Sequence, residues 1–227
     1  FYLILMVNSL VKKFKRKLLK PLWKLLTLHW AFGTSHKRDL FVKEWITAHP
    51  QGSSILDAGA GIQRYKKFAN HLSYTSQDFG KYEGGDYFGE VLNKEWDSKK
   101  CDIISDITSI PKPDNYFDYI LCTEVFEHIV DPIKAFEELS RLLKKGGRML
   151  ITAPFRSTYH QEPYFFYSGS SRYWFEHFSS EFNLKIIEIV PNGNYFKDLS
   201  QEIIRITTFG SDLRRILTIF FTLPYLI

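Results

Sequence analysis

Apolar residues recur at helical spacing in two stretches near the start of this chain, then gather into five short strand-like runs. Leu10, Val11, Phe14, Leu18, Leu22, Leu25 and Leu26 fall at near-helical intervals with lysines between them, and Pro21 predicts a kink or restart. From His36 to Ala48 the positions of Leu40, Phe41, Trp45 and Ile46 mark a second amphipathic helix, ended by the turn Pro50-Gln51-Gly52. Strands are expected at 53–58, 73–78, 101–106, 116–122 and 148–153. Helices are expected near 64–71 and 132–145, the second closed by Gly146-Gly147 as a cap. A Gly-rich loop follows the second strand, from Gly80 to Gly89. Past Pro154 the chain turns aromatic and polar, with a helix near 170–182 and a strand over 184–190. This alternation predicts an α/β fold, a doubly wound and mostly parallel sheet with helices on both faces. Ligands in such a sheet bind at the carboxyl ends of the strands.

Charge divides the chain unevenly. Residues 1–38 hold nine Lys or Arg and no acid, leaving 21 basic against 25 acidic residues in 39–227. The globular part is therefore mildly acidic, which argues against a nucleic-acid partner. Residues 1–35 read as a basic amphipathic arm, 36–200 as the globular domain, and 201–227 as an apolar segment that ends without polar closure, as a truncated C-terminus would. The arm, through residues 6–30, suits an anionic membrane surface, or it lays its apolar face on the domain and leaves the lysines solvated. The opening Phe1–Val7 is too short to span a bilayer, and its positive charges follow it, the reverse of a secretory signal. Cys101 and Cys122 flank apolar runs, which predicts two buried, reduced thiols and a cytoplasmic compartment. No CxxC pair or Cys/His cluster marks a zinc site, and no metal is assigned.

The chemistry gathers at the strand ends. Ser54-Ile55-Leu56-Asp57 runs into Ala58-Gly59-Ala60-Gly61, an acid followed by a glycine turn where a ligand can approach bare backbone. Asp78 and Asp106 close the next two strands. Asp57 suits a cationic amine or sulfonium, Asp78 a pair of ribose hydroxyls, and Asp106 the exocyclic amine of a base. Such a set repels phosphate, and Gly59-Ala60-Gly61-Ile62-Gln63-Arg64 lacks the third glycine of a dinucleotide fingerprint. Structural readings stand beside these: Asp78 can cap a turn, Asp106 can cap a short helix, and Asp118 opens a strand as a structural residue.

With these residues the chain resembles a class I S-adenosylmethionine-dependent methyltransferase of the small-molecule group. Ile55-Leu56-Asp57-Ala58-Gly59-Ala60-Gly61 resembles that family's first motif, and Ser105-Asp106-Ile107-Thr108 the segment against adenine. Phe117-Asp118-Tyr119-Ile120-Leu121-Cys122 resembles its fourth strand, Thr123-Glu124-Val125-Phe126-Glu127-His128-Ile129 the loop after it, and Leu142 to Ile151 the approach to the fifth. The likeness covers residues 52–155 and implies a Rossmann-like fold with S-adenosyl-L-methionine as cofactor. It implies that Asp57, Gly59 and Gly61 hold the methionine end, Asp78 the ribose, and Asp106 with the Ile107 backbone the adenine. A seventh strand has no candidate and is expected beyond Ile227.

Methyl transfer from a sulfonium is an in-line displacement, and a base is needed only when the nucleophile must lose a proton. His160 is the preferred base, with Glu162 orienting it, in an acceptor-side insert near 155–182. His128 stands beside the cofactor in the resemblance, or is simply a hydrogen-bonded loop histidine. The His160–Tyr164 segment and the apolar tail are similar to enzymes of surface-polysaccharide and glycan pathways, which implies a sugar or lipid-linked acceptor at the inner membrane face. A lipid-quinone methyltransferase and a non-catalytic S-adenosylmethionine-binding scaffold remain as alternatives.

Overall fold

The computed structural model describes residues 33–82, 98–199 and 202. The membrane-facing role expected of 6–30, most of the Gly-rich loop and most of the apolar segment 201–227 lie outside the described residues. By its internal contacts the chain divides into a unit of Phe41–Val190 and a unit of Phe1–Leu40 with Pro191–Ile227. The sheet lies in the first.

Strands β1 (Ser54–Ala58), β2 (Ser73–Asp78), β3 (Ile103–Ile104), β4 (Phe117–Thr123) and β5 (Leu143–Thr152) form one sheet in the order β3-β2-β1-β4-β5. Every pairing is parallel. The chain order reverses across β1 and β4, which opens a crevice at their carboxyl ends.

Alternation along the strands builds two cores. Ile55 and Leu121 face one side, where Val42 and Ile46 of α1 (Gly33–Thr47) cover them. Leu56, Ala58, Ile120 and Cys122 face the other, under α2 (Pro132–Leu142) and α3 (Arg172–Glu181). Asp131 caps α2 by accepting from Lys134 N at 3.0 Å, and Ser171 caps α3 by accepting from Trp174 N at 3.3 Å. Ser54 N and Oγ both donate to Asp118 Oδ2, at 2.9 and 2.6 Å, while Lys144 Nζ meets Oδ1 at 2.8 Å. These bonds, Lys144 first, hold the Asp118 carboxyl down at about 2. Asp118 thus pins the amino ends of β1 and β4, far from the crevice.

Four expectations need correction. In place of a helix over 64–71 the chain makes tight turns and a short 3-10 segment, Lys66–Phe68, closed by successive backbone bonds such as Phe68 N to Tyr65 O at 2.9 Å. α2 stops at Leu142, and Gly146-Gly147 belong to β5, where the register with β4 slips between Phe117 and Tyr119. Gly146 takes φ 79, and a Cβ on Gly147 would lie 2.7 Å from Asp118 O, so these glycines serve the irregular strand and not a helix cap. The run 101–106 contributes only Ile103–Ile104 to the sheet. Residues 184–190 form no strand, and Ile187, Ile189 and Val190 are left exposed. Both cysteines are free and buried, as expected. Among the described residues no helix is long and apolar enough to cross a membrane.

Candidate active site

β1 runs into the glycine turn, where Gly59 (φ 70) and Gly61 (φ 51) occupy the left-handed region. A Cβ on Gly59 would lie 2.5 Å from Cγ2 of Val125, in the loop after β4. Glycine there satisfies the dihedral and the contact together. Gln63, two residues past Gly61, also takes a positive φ of 56. Its amide is held at both ends, Nε2 donating to Lys100 O at 3.0 Å and Oε1 accepting from Lys66 Nζ at 2.9 Å.

Asp78 is buried, and both of its oxygens bind backbone: Oδ2 accepts from Gly61 N at 3.0 Å and Oδ1 from Gly80 N at 2.9 Å. It ties the glycine turn to the loop after β2. Gln77, which sequence reasoning passed over, does as much. Its Oε1 accepts from Gly59 N at 3.2 Å, its carbonyl from Ala60 N at 2.8 Å, and its Nε2 donates to Ser105 O at 2.7 Å. A signal was present: β2 reads Ser-Tyr-Thr-Ser-Gln-Asp, and a strand that polar inside a sheet must find partners for its side chains. Ser76 finds Asp102, whose Oδ2 accepts from Ser76 N at 2.8 Å and Oγ at 2.7 Å.

Asp57 sits where alternation calls for an aliphatic residue, and it is 2% exposed. The Tyr74 hydroxyl donates to its Oδ2 at 2.6 Å. Burial pushes this carboxyl up to about 7 against the Tyr74 bond, and the nearby Asp78 adds to the rise. Asp57 therefore lies beneath the turn rather than at its surface. Asp106 is exposed; its Oδ1 accepts from Thr108 N at 2.9 Å and Oγ1 at 2.8 Å, a local cap. Ile107 turns its side chain into the core.

The other half of the crevice is made by the segments after β4 and β5. The segment after β5 closes on itself at its base, Ser170 N to Pro154 O at 2.9 Å, and grips the β4 loop. Phe166 N and Tyr167 N both donate to Glu127 O, at 2.9 and 3.2 Å, and Tyr167 OH donates to Val130 O at 2.9 Å. His128 donates from Nδ1 to Tyr164 O at 2.5 Å. The Tyr164 ring meets Phe79 edge-on at 4.8 Å, so this segment reaches across to the loop after β2.

His128 and His160 meet edge to face, with ring centroids 4.8 Å apart. Burial holds the His128 imidazole down at about 4, despite its bond to Tyr164, so it is neutral at pH 7. His160 Nδ1 lies 2.8 Å from Thr158 O and 3.3 Å from Ser157 Oγ. Glu162 is exposed and makes no hydrogen bond or ion pair among the described residues, so Thr158 orients His160 and Glu162 does not. The sharp turn at Gln161 (φ 54) carries the chain past His160 before Glu162 can fold back. The structure also gathers Glu127, His128 and His160, whose ligand atoms lie within 4.8 Å of one another. No sequence spacing announces that grouping, because two loops must fold together to make it.

The fold has counterparts among known proteins. Over 109 residues the chain is 30% identical to phosphoethanolamine N-methyltransferase 2 of Caenorhabditis elegans, covering 44% of this chain and 24% of that protein. The chain spans less than half the length of the curated relatives it matches. The YcgJ protein of Bacillus subtilis shares the fold at a TM-score of 0.50 and 20% identity, covering 81% of this chain and 88% of that one. A solved structure from Bacillus halodurans C-125 does so at 0.50 and 15%, covering 80% and 82%. The family described as "Methyltransferase domain" matches residues 34–192, which takes in the sheet, the glycine turn and both crevice loops. The chain belongs to this methyltransferase-domain family, with the fold of the class I S-adenosylmethionine-dependent enzymes.

Proposed function

We propose that the protein moves the methyl group of S-adenosylmethionine to a small hydroxyl-bearing acceptor, a sugar or a lipid-linked glycan intermediate. The observation that carries this reading is the meeting of the glycine turn, Asp78 and Val125 at the carboxyl ends of β1, β2 and β4, with the His128–His160 pair on the segments that follow β4 and β5. The turn 59–61 receives the methionine end. Asp57 supports it from below with a buried carboxyl, and Asp78 turns its remaining lone pairs to the ribose. Asp106 keeps Oδ2 for the adenine amine, since only Oδ1 is bound to Thr108. The acceptor enters beneath the segment after β5, whose exposed Tyr159, Phe166 and Tyr167 offer ring faces to a sugar. The nematode relative is named for phosphoethanolamine, also a small polar acceptor. His128 and His160 form the polar end against which the acceptor's reacting oxygen lies, and the rest of the work is alignment with the S–CH3 bond. A basic arm at 6–30 fits an acceptor held at an anionic membrane surface.

Calorimetry with S-adenosylmethionine and S-adenosylhomocysteine tests the cofactor half. Both are expected to bind, and Asp78→Ala is expected to weaken them at least tenfold. Failure of the unaltered protein to bind either sinks the reading. His160→Ala is expected to lower turnover with S-adenosylhomocysteine affinity almost unchanged. Cofactor binding without transfer to any hydroxyl acceptor points instead to a scaffold.

A further inference from the structure

The geometry points to a divalent transition-metal site formed by Glu127, His128 and His160 at the carboxyl ends of β4 and β5. One ligand atom from each residue lies within 4.8 Å of the other two, and His128 Nε2 stands 3.8 Å from Glu127 Oε1. Ligand atoms around a bound ion sit about 3–3.5 Å apart, so small side-chain rotations of about 1 Å close the site.

The surroundings of the histidines favour ligation. A carbonyl oxygen can only accept, so the contacts of His128 Nδ1 with Tyr164 O and of His160 Nδ1 with Thr158 O place the ring proton on Nδ1 in both. Nε2 then carries the lone pair in each ring. A backbone carbonyl on the far nitrogen is the common outer-shell device that fixes the tautomer and orientation of a ligating histidine. Glu127 is buried, and its position is set by its own carbonyl, which takes both Phe166 N and Tyr167 N. The segment carrying His160 is thus fastened to the residue that supplies the carboxylate. The third ligand is brought to the other two by the fold itself.

Two imidazoles and one carboxylate suit a borderline ion such as Zn2+, Fe2+, Mn2+ or Co2+ better than Mg2+ or Ca2+, which prefer oxygen. Three protein ligands leave at least one position open for an acceptor oxygen. That fits an acceptor whose nucleophile is an oxygen able to bind the ion. Coordination lowers the pKa of the bound hydroxyl, as it does for metal-bound water, and its proton leaves to solvent. The alkoxide oxygen then forms a bond to the methyl carbon while the S–C bond breaks. The electron pair of that bond stays on sulfur, and the sulfonium becomes a neutral thioether. This last step rests on the proposed methyl transfer; the ion site does not.

Co2+ is the probe, because its visible bands report coordination without any turnover. The protein is stripped with a chelator and titrated with Co2+ alone, and cofactor binding is measured separately by calorimetry. One equivalent of Co2+ is expected to bind with new bands between 500 and 650 nm, on the order of what low-coordinate nitrogen–oxygen sites give. His160→Ala and His128→Ala are each expected to weaken binding by at least about tenfold. His160→Gln, in the more exposed loop, repeats the test should His128→Ala fail to fold. His177→Ala removes an exposed histidine of α3 that lies 3.8 Å from Glu181, and is expected to change nothing. Absence of Co2+ binding in the unaltered protein overturns the site, as does binding that survives either His160 variant. Failure of cofactor binding with intact Co2+ binding overturns the methyl-transfer reading and leaves the site standing.

Discussion

The two halves of the crevice are held by different means. On the cofactor side, at the ends of β1 and β2, a carboxylate and an amide reach over one or two loops and take backbone N–H groups: Asp78 those of Gly61 and Gly80, Gln77 that of Gly59. On the side we propose for the acceptor, two loops bind each other through carbonyls and ring nitrogens, with aromatic rings left exposed. The first arrangement is buried and fixes a turn to one shape. The second is a clasp between segments distant in sequence, which can exchange side chains without disturbing the sheet. A cofactor common to a family calls for the former, and an acceptor peculiar to each member for the latter.

That contrast can be broken most severely at Gly59. Gly59→Ala combines a left-handed backbone, costing about 1–2 kcal/mol, with overpacking against Val125, costing about 1–3 kcal/mol more. Urea unfolding should show the loss, and Val125→Ala in the same chain should recover only the packing part. An Ala that leaves stability untouched would mean the turn is softer than its contacts imply.

Tyr74→Phe comes next. It removes the hydroxyl donated to a buried carboxyl group, and about 1–3 kcal/mol of stability is expected to go with it. The same site carries a pH signature. The folded Asp57 carboxyl is raised from 3.8 to about 7, so between those values the folded state keeps a proton that the unfolded chain has lost. Stability should therefore fall as pH rises from about 4 to 7. Asp57→Asn should flatten that slope, and an unchanged slope in the variant would place its source elsewhere.

The smallest effects belong to Gln63 and Glu162. Gln63→Gly relieves a positive φ but loses the Lys100 and Lys66 bonds, so a net change within about 1 kcal/mol is expected. Glu162→Gln, at an exposed residue with no ion pair among the described residues, should alter stability by less than about 0.5 kcal/mol. Turnover should follow suit, and a large loss there would restore the orienting role that the Thr158 contact removes.

What could be read in the sequence follows the same division. Asp57, Gly59, Gly61 and Asp78 lie in or beside contiguous strand-to-turn motifs, where type and spacing carry the chemistry. The parallel sheet was legible because apolar runs alternate with turn signals. The helix over 64–71 was not, because tight turns bury Tyr65, Ala69 and Leu72 at a spacing that a helix would also give. Nor was the end of α2, since a double glycine suits an irregular strand as well as a cap. The run 184–190 has the apolar content of a strand but forms none, because composition says nothing about whether a neighbour is present to pair with. The partnership of Glu127, His128 and His160 depends on how two loops fold over each other, and no local pattern records it.

The polar make-up of β2 has a consequence in time as well as in space. Ser76, Gln77 and Asp78 draw their side-chain partners from Asp102, Ser105 and the glycine turn, so while the backbone of this end pairs with β1, its side chains stay unsatisfied until those segments are in place. Those side chains are expected to lock in late in folding. Substitutions such as Ser76→Ala should then speed unfolding and leave the folding rate nearly untouched, the mark of contacts made after the barrier. On this account the glycine turn is expected to take its final shape only when Gln77 and Asp78 have found Gly59 and Gly61.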